Sequence, residues 1–452
     1  MKRTAFTNPA KMTVNIAFTL LLISCMLLTL PGLSRARVYL ELDSPNLRRI
    51  PLAVAPLQPL CGASTNAEVA QLGRKIIIDD LEFSTFFELL LDTENYLEKP
   101  KSCSLSPGTF DYSNWSLIGA ELLIKAGYSL SGKTLVAEFR LYDTLEGKML
   151  IGKRYRSRAK NIRLLFHKFT NLVVEKVTGL PGEFTAKIAF CGRLHGETAQ
   201  ELYSCDYDGH ELRQVTRNHS INVSPSWSND TNKIVYTSYR NNNPDLYVID
   251  LLKGKEELLS KRKGLNVAAN WSADDRHLTL MQRYSSHSEI TIIDSSSGAT
   301  IRRLTTSSSN QASPCWSPDN SQIAFVSDRS GTPHIYLTSV TGGPWTRLTK
   351  MDAYNADPDW SAYNDKIVFT SRIDGIFQIC TVRPDGSGYQ QLTFTRSNCE
   401  VPCWSPNGRH ILFTKKINKI RQLMIMDEKG RNLKQITFDK IEKKGPSWSA
   451  NR

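Results

Sequence analysis

The dipeptide Trp-Ser begins at Trp227, Trp271, Trp316, Trp360, Trp404 and Trp448, at intervals of 44, 45, 44, 44 and 44 residues. Six of the eight tryptophans therefore stand on one lattice, and a fixed period of this length marks a repeat architecture. A turn follows each dipeptide, as in Ser317-Pro318-Asp319-Asn320 or Ser405-Pro406-Asn407-Gly408, where proline presets φ and asparagine or glycine tolerates positive φ. Two apolar runs come next, such as Lys233–Ser238 and Asp245–Asp250, and the unit closes near Gln391-Leu392-Thr393 or its equivalents. Apolar, β-branched and aromatic runs bounded by turn residues read as strands. About four strands in such a unit is a propeller blade.

The two ends of the array complement each other. Lys187–Cys191, Glu201–Tyr203 and Gln214–Thr216 form a unit without its own leading Trp-Ser, whereas Trp448-Ser449 lacks the strands that should follow it. The last strand is therefore expected to complete the sheet begun near residue 187 and close a ring of six blades. An open array would need capping units instead. A tryptophan at one place in every blade buries a large apolar area, so the six are assigned to inter-blade packing.

Residues 37–180 do not repeat. Arg37–Asp43 and Ile50–Ala55 read as strands, Ala67–Asp80 and Ile162–Val177 as helices, and Ala120–Tyr128 pairs with Thr134–Tyr142. Gly179 fits a helix C-cap, and Pro181-Gly182 is the junction. The fold class is thus a small mixed α/β domain at 37–180, followed by an all-β six-bladed propeller at 184–452 closed by the C-terminal strand.

Residues 1–36 read as a cleavable signal peptide. Lys2, Arg3 and Lys11 precede an apolar run from Val14 to Leu30, Pro31-Gly32 breaks it, and Ser34-Arg35-Ala36 places small residues where a peptidase reads, with cleavage after Ala36. A membrane anchor would want a longer run. A lipidated Cys25 is disfavoured because the apolar run continues past it. Four of the thirteen surplus positive charges lie in this leader, which leaves about +9 scattered over the rest. The clusters at Arg154–Arg163 and Lys415–Arg421 form no recognisable nucleic-acid module. Eight of the nine cysteines remain after the leader. Export permits disulfides, but no spacing forms a metal or redox motif. Most are expected to fill cores, with Cys191 and Cys205 as possible cross-strand neighbours.

Together these features resemble the TolB family of the Tol–Pal envelope system. The resemblance is carried by the leader, the two-domain order, the six Trp-Ser units, the run from Val177 to Phe190, Asp206-Tyr207-Asp208-Gly209 and Ser317-Pro318-Asp319. The turns Asn229-Asp230-Thr231 and Ala273-Asp274-Asp275 depart from the family's usual Pro-Asp-Gly. The resemblance implies a periplasmic, non-catalytic adaptor. Its propeller funnel would bind a Pal-like peptidoglycan-associated lipoprotein, and its mature N-terminal segment a TolA-like inner-membrane protein, serving outer-membrane integrity and envelope constriction during division. The alternative is a propeller that binds another envelope lipoprotein or a glycan.

The residues themselves give no sign of catalysis. Related propellers occur in serine peptidases, but no Gly-x-Ser-x-Gly elbow, His-Glu-x-x-His helix or phosphate loop is present, so no catalytic residue, metal or cofactor is expected. Asp79-Asp80 and Asp274-Asp275 are read as solvated charge, and His195, His210 and His219 as surface residues. A binding site is expected where each chain segment enters the innermost strand, beside the central channel. That reading selects Asn222, Asn266, Gln311 and Asn355 as a ring of amides, with Ala268, Ala312 and Glu400 beside them. The competing reading is that the asparagines only make turns.

Overall fold

The computed structural model describes residues 48–91, 103–351 and 354–451. The leader, the cleavage site at Ala36 and the strand expected at Arg37–Asp43 lie outside them.

The N-terminal domain is a sheet with helices packed on it. Strand β1 (Ile50–Val54) lies between β3 (Phe87–Leu90) and β4 (Leu122–Ser131), parallel to both, while the short β2 (Gln58–Pro59) adds to β4. Antiparallel β5 (Thr134–Asp143) and β6 (Lys148–Arg158) extend the sheet to its other edge. Helix α1 (Ala67–Ser84) starts where the Asn66 side chain accepts a hydrogen bond from Val69 N at 3.0 Å. A six-residue helix α2 (Tyr112–Leu117) precedes β4, in a stretch the sequence reading left unassigned. Helix α3 (Ile162–Thr178) ends on Gly179 at φ 75°, as its C-cap position requires. Gly73 lets α1 approach α3 closely, since a Cβ there would lie 2.5 Å from the Phe166 ring.

Six four-stranded antiparallel sheets follow, each arranged from an inner strand outward. The closing strand Ile441–Trp448 pairs antiparallel with Lys187–Leu194, setting Trp448 opposite Ile188. The ring is therefore completed by a sheet whose strands come from both ends of the array, which leaves Lys187–Leu194 paired on both sides, with no open edge. The repeated threonine closing each unit has a defined task. Thr216, Thr305, Thr349, Thr393 and Thr437 each accept, through Oγ1, the backbone N–H of the blade's third strand at 2.8–3.1 Å. The tryptophans sit between blades: Trp271 Nε1 donates to Ser226 O at 3.1 Å and Trp316 Nε1 to Asn270 O at 3.2 Å. The turns that depart from Pro-Asp-Gly also link blades, as Asp275 accepts the N–H groups of Asn229 and Asp230, both at 2.8 Å.

The two domains share one apolar core that runs from Phe166 and Phe169 to Phe184, Tyr207 and Ile425. Set into it is a polar cluster that corrects the expectation for Asp80. This residue is fully buried. Tyr207 of the propeller donates to it at 2.5 Å, His167 Nδ1 lies at 2.9 Å, and Thr170 also donates. A carboxylate placed in an apolar core is tolerated only when such partners surround it. Its neighbour Asp79 meets the sequence reading, pairing with Lys75 at the surface. Nearby, Arg163 binds Asp208 and Asp206, and buried Glu183 meets His410 at 2.5 Å with Phe83 stacked on the imidazole.

The cysteines need a second correction. Cys61 and Cys103 form a disulfide, which draws the segment before α2 onto the end of β2. Cys191 and Cys205 are unbonded and not cross-strand neighbours: the register sets Cys191 opposite Leu202 and Cys205 opposite Ile188.

Candidate functional site: the propeller channel

Each innermost strand contains a bulge at the same place. Between the fourth and the first residue before each tryptophan the pairing register shifts, as between Val223 and Ser226 or Glu400 and Cys403. The residue three before the tryptophan has a left-handed backbone in all six blades: Ser224 φ 51°, Ala268 φ 55°, Ser313 φ 46°, Asp357 φ 51°, Val401 φ 53° and Gly445 φ 55°. Five of these precede a proline and only one is glycine. A left-handed conformation costs an L-residue about 1–2 kcal/mol, and for β-branched Val401 it is a clear outlier. Contacts with the neighbouring blade hold the strain in place where Ser313 Oγ donates to Asp357 and at Val401. Val401 N donates to Thr370 Oγ1 of the preceding blade at 3.1 Å.

These six residues and the prolines after them line one cavity on the propeller axis. The six tryptophans and their following turns line a second, of about 230 Å³, which adjoins the first. At the first of these cavities the channel is strained in backbone and mostly small in side chain. Its charge is concentrated in one blade. Asp357 accepts from Ser313 Oγ at 3.3 Å, and Asp359 from Trp404 N at 2.7 Å. Burial raises both carboxyls to about 6, and Glu400 adds to the rise at Asp357.

The amide ring does not face this channel. Asn222, Asn266 and Gln311 are fully buried and Asn355 is 2% exposed. Asn266 Nδ2 donates to Arg262 O at 2.5 Å and to Gly264 O and Pro244 O at 3.1 Å, while its Oδ1 accepts from Gln282. Asn222 holds Gln200 O and Glu201, Gln311 holds Ser309 O and accepts from Thr305, and Asn355 meets His334. These amides fasten the loops that lead into the inner strands, so the turn-making reading describes their geometry. Ala312 is half-buried and Glu400 is paired with Arg421 at 2.9 Å. Of the expected site residues, Ala268 lines the channel. Ser224, Ser313, Asp357 and Val401 do so as well and were missed. The signal that marks them is the proline repeated two residues before the tryptophan.

Nothing else among the described residues assembles as a reactive site. His195, His210 and His219 are exposed and apart from the channel lining. No group of three His, Cys, Asp or Glu side chains is placed to hold a metal ion, and no helix is long and apolar enough to cross a membrane, among the described residues. A cleft of about 400 Å³ at the domain junction, lined by Arg49, Glu82, Phe83, His410 and Lys434, has both signs of charge and no convergent chemistry.

Comparison with known proteins matches residues 38–150 to the TolB amino-terminal domain and 174–452 to the TolB beta propeller domain. The Tol-Pal system protein TolB of Desulfosudis oleivorans is 36% identical over 242 residues, covering 53% of this chain and 55% of the relative. Its counterpart in Syntrophotalea carbinolica is 36% identical over 218 residues, covering 48% and 49%. The matched stretch thus spans about half the length of these relatives. The crystal structure of TolB from Acinetobacter baumannii superposes with a TM-score of 0.75 at 24% identity, over 89% of this chain and 97% of that one, which shows the shared fold. With family matches on both of its domains, the chain belongs to the TolB family.

Proposed function

We propose that this chain is a non-catalytic periplasmic adaptor of a Tol–Pal system, whose propeller channel receives a protruding loop of a Pal-like peptidoglycan-associated lipoprotein. The observation that carries this reading is the ring of left-handed residues at the channel mouth. Strained backbone at equivalent places in five of the six blades supports a position kept for binding as well as for folding. Small side chains leave room for a partner's chain, and propellers bind at this mouth. Membership of the TolB family supports the choice of partner. A TolA-like contact is assigned to the segment after Ala36, and the contribution to envelope integrity and division follows from bridging the two partners.

The test is a titration of the purified protein with the periplasmic domain of a Pal-like lipoprotein. Ala268→Trp, which fills the channel without touching the loop-fastening amides, should weaken binding by about tenfold or more. Equal binding by this variant would move the site off the channel. A folded protein with no binding at all would return the function to another envelope lipoprotein or a glycan.

A further inference from the structure

Strand β6 is an outer edge of the N-terminal sheet, and its eleven residues make it about twice the usual strand length. Natural edge strands are blunted by shortness, proline, bulges or charge. From Ile151 to Arg158 this edge has no proline and pairs with β5 in unbroken register, the irregularity lying beyond, between Leu141 and Tyr142. Charge is the device that remains, and it is arranged in order.

Successive side chains of a strand alternate between faces, and residues two apart on one face stand about 7 Å from each other. Ile151 packs into the domain core with Tyr155 against it, so the alternate set Arg154, Arg156 and Arg158 projects from the opposite face, and all three are exposed. Across the pairing they meet Glu138, Val136 and Thr134. Glu138 is the sole acid of that row, and it is engaged by Arg140 as well as by Arg154. Arg156 and Arg158 have no carboxylate partner among the described residues. The result is a ladder of guanidinium groups at strand spacing beside a row of backbone N–H and C=O groups that no strand among the described residues pairs.

We propose that this edge is a docking strand for an extended acidic peptide segment of a partner protein, which pairs with β6 as a further strand and sets alternate carboxylates against Arg154, Arg156 and Arg158. Strand addition supplies main-chain hydrogen bonds, and pockets or charges at every second residue supply the choice of sequence. Arginine suits the role because its planar fork binds a carboxylate through two parallel hydrogen bonds. The ladder also repels basic strands and other copies of the same edge, so one feature selects and excludes. This surface is separate from the channel, and its use does not depend on what the channel binds.

A fluorescent peptide of alternating glutamate and valine, seven residues long, provides the probe with the purified protein. Saturable binding is expected, weakening as salt rises. The lysine–valine analogue should not bind. A glutamate–valine peptide N-methylated at alternate residues, which keeps the charge but loses one row of main-chain donors, should bind about tenfold more weakly or worse. Arg156→Ser with Arg158→Ser should cause a loss of similar size. Because both side chains are exposed, unfolding is not expected, and circular dichroism checks that the variant has kept its structure. Equal binding of the methylated peptide would overturn strand addition in favour of simple charge attraction. Binding only to phosphatidylglycerol vesicles would assign the ladder to a lipid surface and overturn the proposal. Absence of peptide and vesicle binding would leave the arginines as protection of the edge alone, and would overturn it too.

Discussion

The phenol of Tyr207, in the first blade of the propeller, donates a hydrogen bond of 2.5 Å to the carboxylate of Asp80, on the first helix of the N-terminal domain. Both residues are buried, and His167 and Thr170 complete the carboxylate's shell. Burial first, and then the adjoining carboxylate, holds the phenol well above its usual ionisation range, so it remains a donor. Asp80→Ala removes the acceptor of three buried groups and should destabilise the protein by about 3 kcal/mol or more. Tyr207→Phe should cost about 1–2 kcal/mol, since one donor is lost while the carboxylate keeps its other partners. Urea unfolding at neutral pH measures both. An Asp80→Ala variant no weaker than Tyr207→Phe would mean that the cluster does not hold the domains together.

The disulfide between Cys61 and Cys103 closes a loop with a sequence separation of 42 residues. Cross-linking a loop of that length removes denatured-state entropy worth up to about 4 kcal/mol. Cys103→Ser should therefore lower the denaturation midpoint, and reducing agent should lower the parent protein to the same level. If reductant also lowered the variant, some other bond would be responsible.

At the channel, Asp357 titrates near 6 in the folded chain against 3.8 when unfolded. Between those values the folded state binds the extra proton, so this group's contribution to stability falls as pH rises through that window and is lowest above it. Asp357→Asn should be more stable than the parent by about 1–2 kcal/mol at pH 7, with the difference vanishing near pH 4. Paired urea titrations at the two pH values decide the matter. A difference that is the same at both would rule out the ionisation.

The closing strand offers a test of the ring. Trp448 is buried beside Ile188 and shares its strand with Lys443, a fully buried lysine whose ammonium is bound by Asp439, Gln422 and Ile441 O. Trp448→Ala should cost about 3–5 kcal/mol. The same change in the middle of the array leaves the strand pairings at the closure intact, so Trp448→Ala should also increase protease cleavage near residues 187–194. Protection there equal to the parent's would show that the ring closes without it.

Val401 bears the clearest backbone strain in the channel, a β-branched residue at φ 53°. Val401→Gly should relieve it and raise stability by about 1 kcal/mol, with the entropy of the unfolded glycine offsetting part of the gain. Thermal unfolding reads the change directly, and destabilisation instead would mean that the isopropyl group's packing outweighs the strain.

The tryptophan lattice, the split first unit and the apolar periodicity of Ala67–Asp80 and Ile162–Val177 were legible because they depend on spacing along the chain. So were the six blades and their closure, since one strand missing at one end matched one strand left over at the other. The direction of the inner-strand side chains was not. Each inner strand is bulged at Ser224, Ala268 and their equivalents, which shifts its pairing register, and nothing in the local order of residue types marks where the shift turns a side chain. Asn222 and Asn266 fasten the loops, and the residues two positions further along each strand, Ser224 and Ala268, line the channel. Asp80 was misjudged for a related reason: its sequence neighbours suggest a solvated helix end, whereas Tyr207 reaches it from 127 positions along the chain. Cys61 and Cys103 likewise carry no mark that pairs them before the sheet brings them together. The sequence by itself determined the repeat, the two domains and the ring, because local periodicity encodes which face of each element is apolar. Tertiary structure alone decided which polar groups meet, because a buried charge or thiol takes its character from neighbours that only folding supplies.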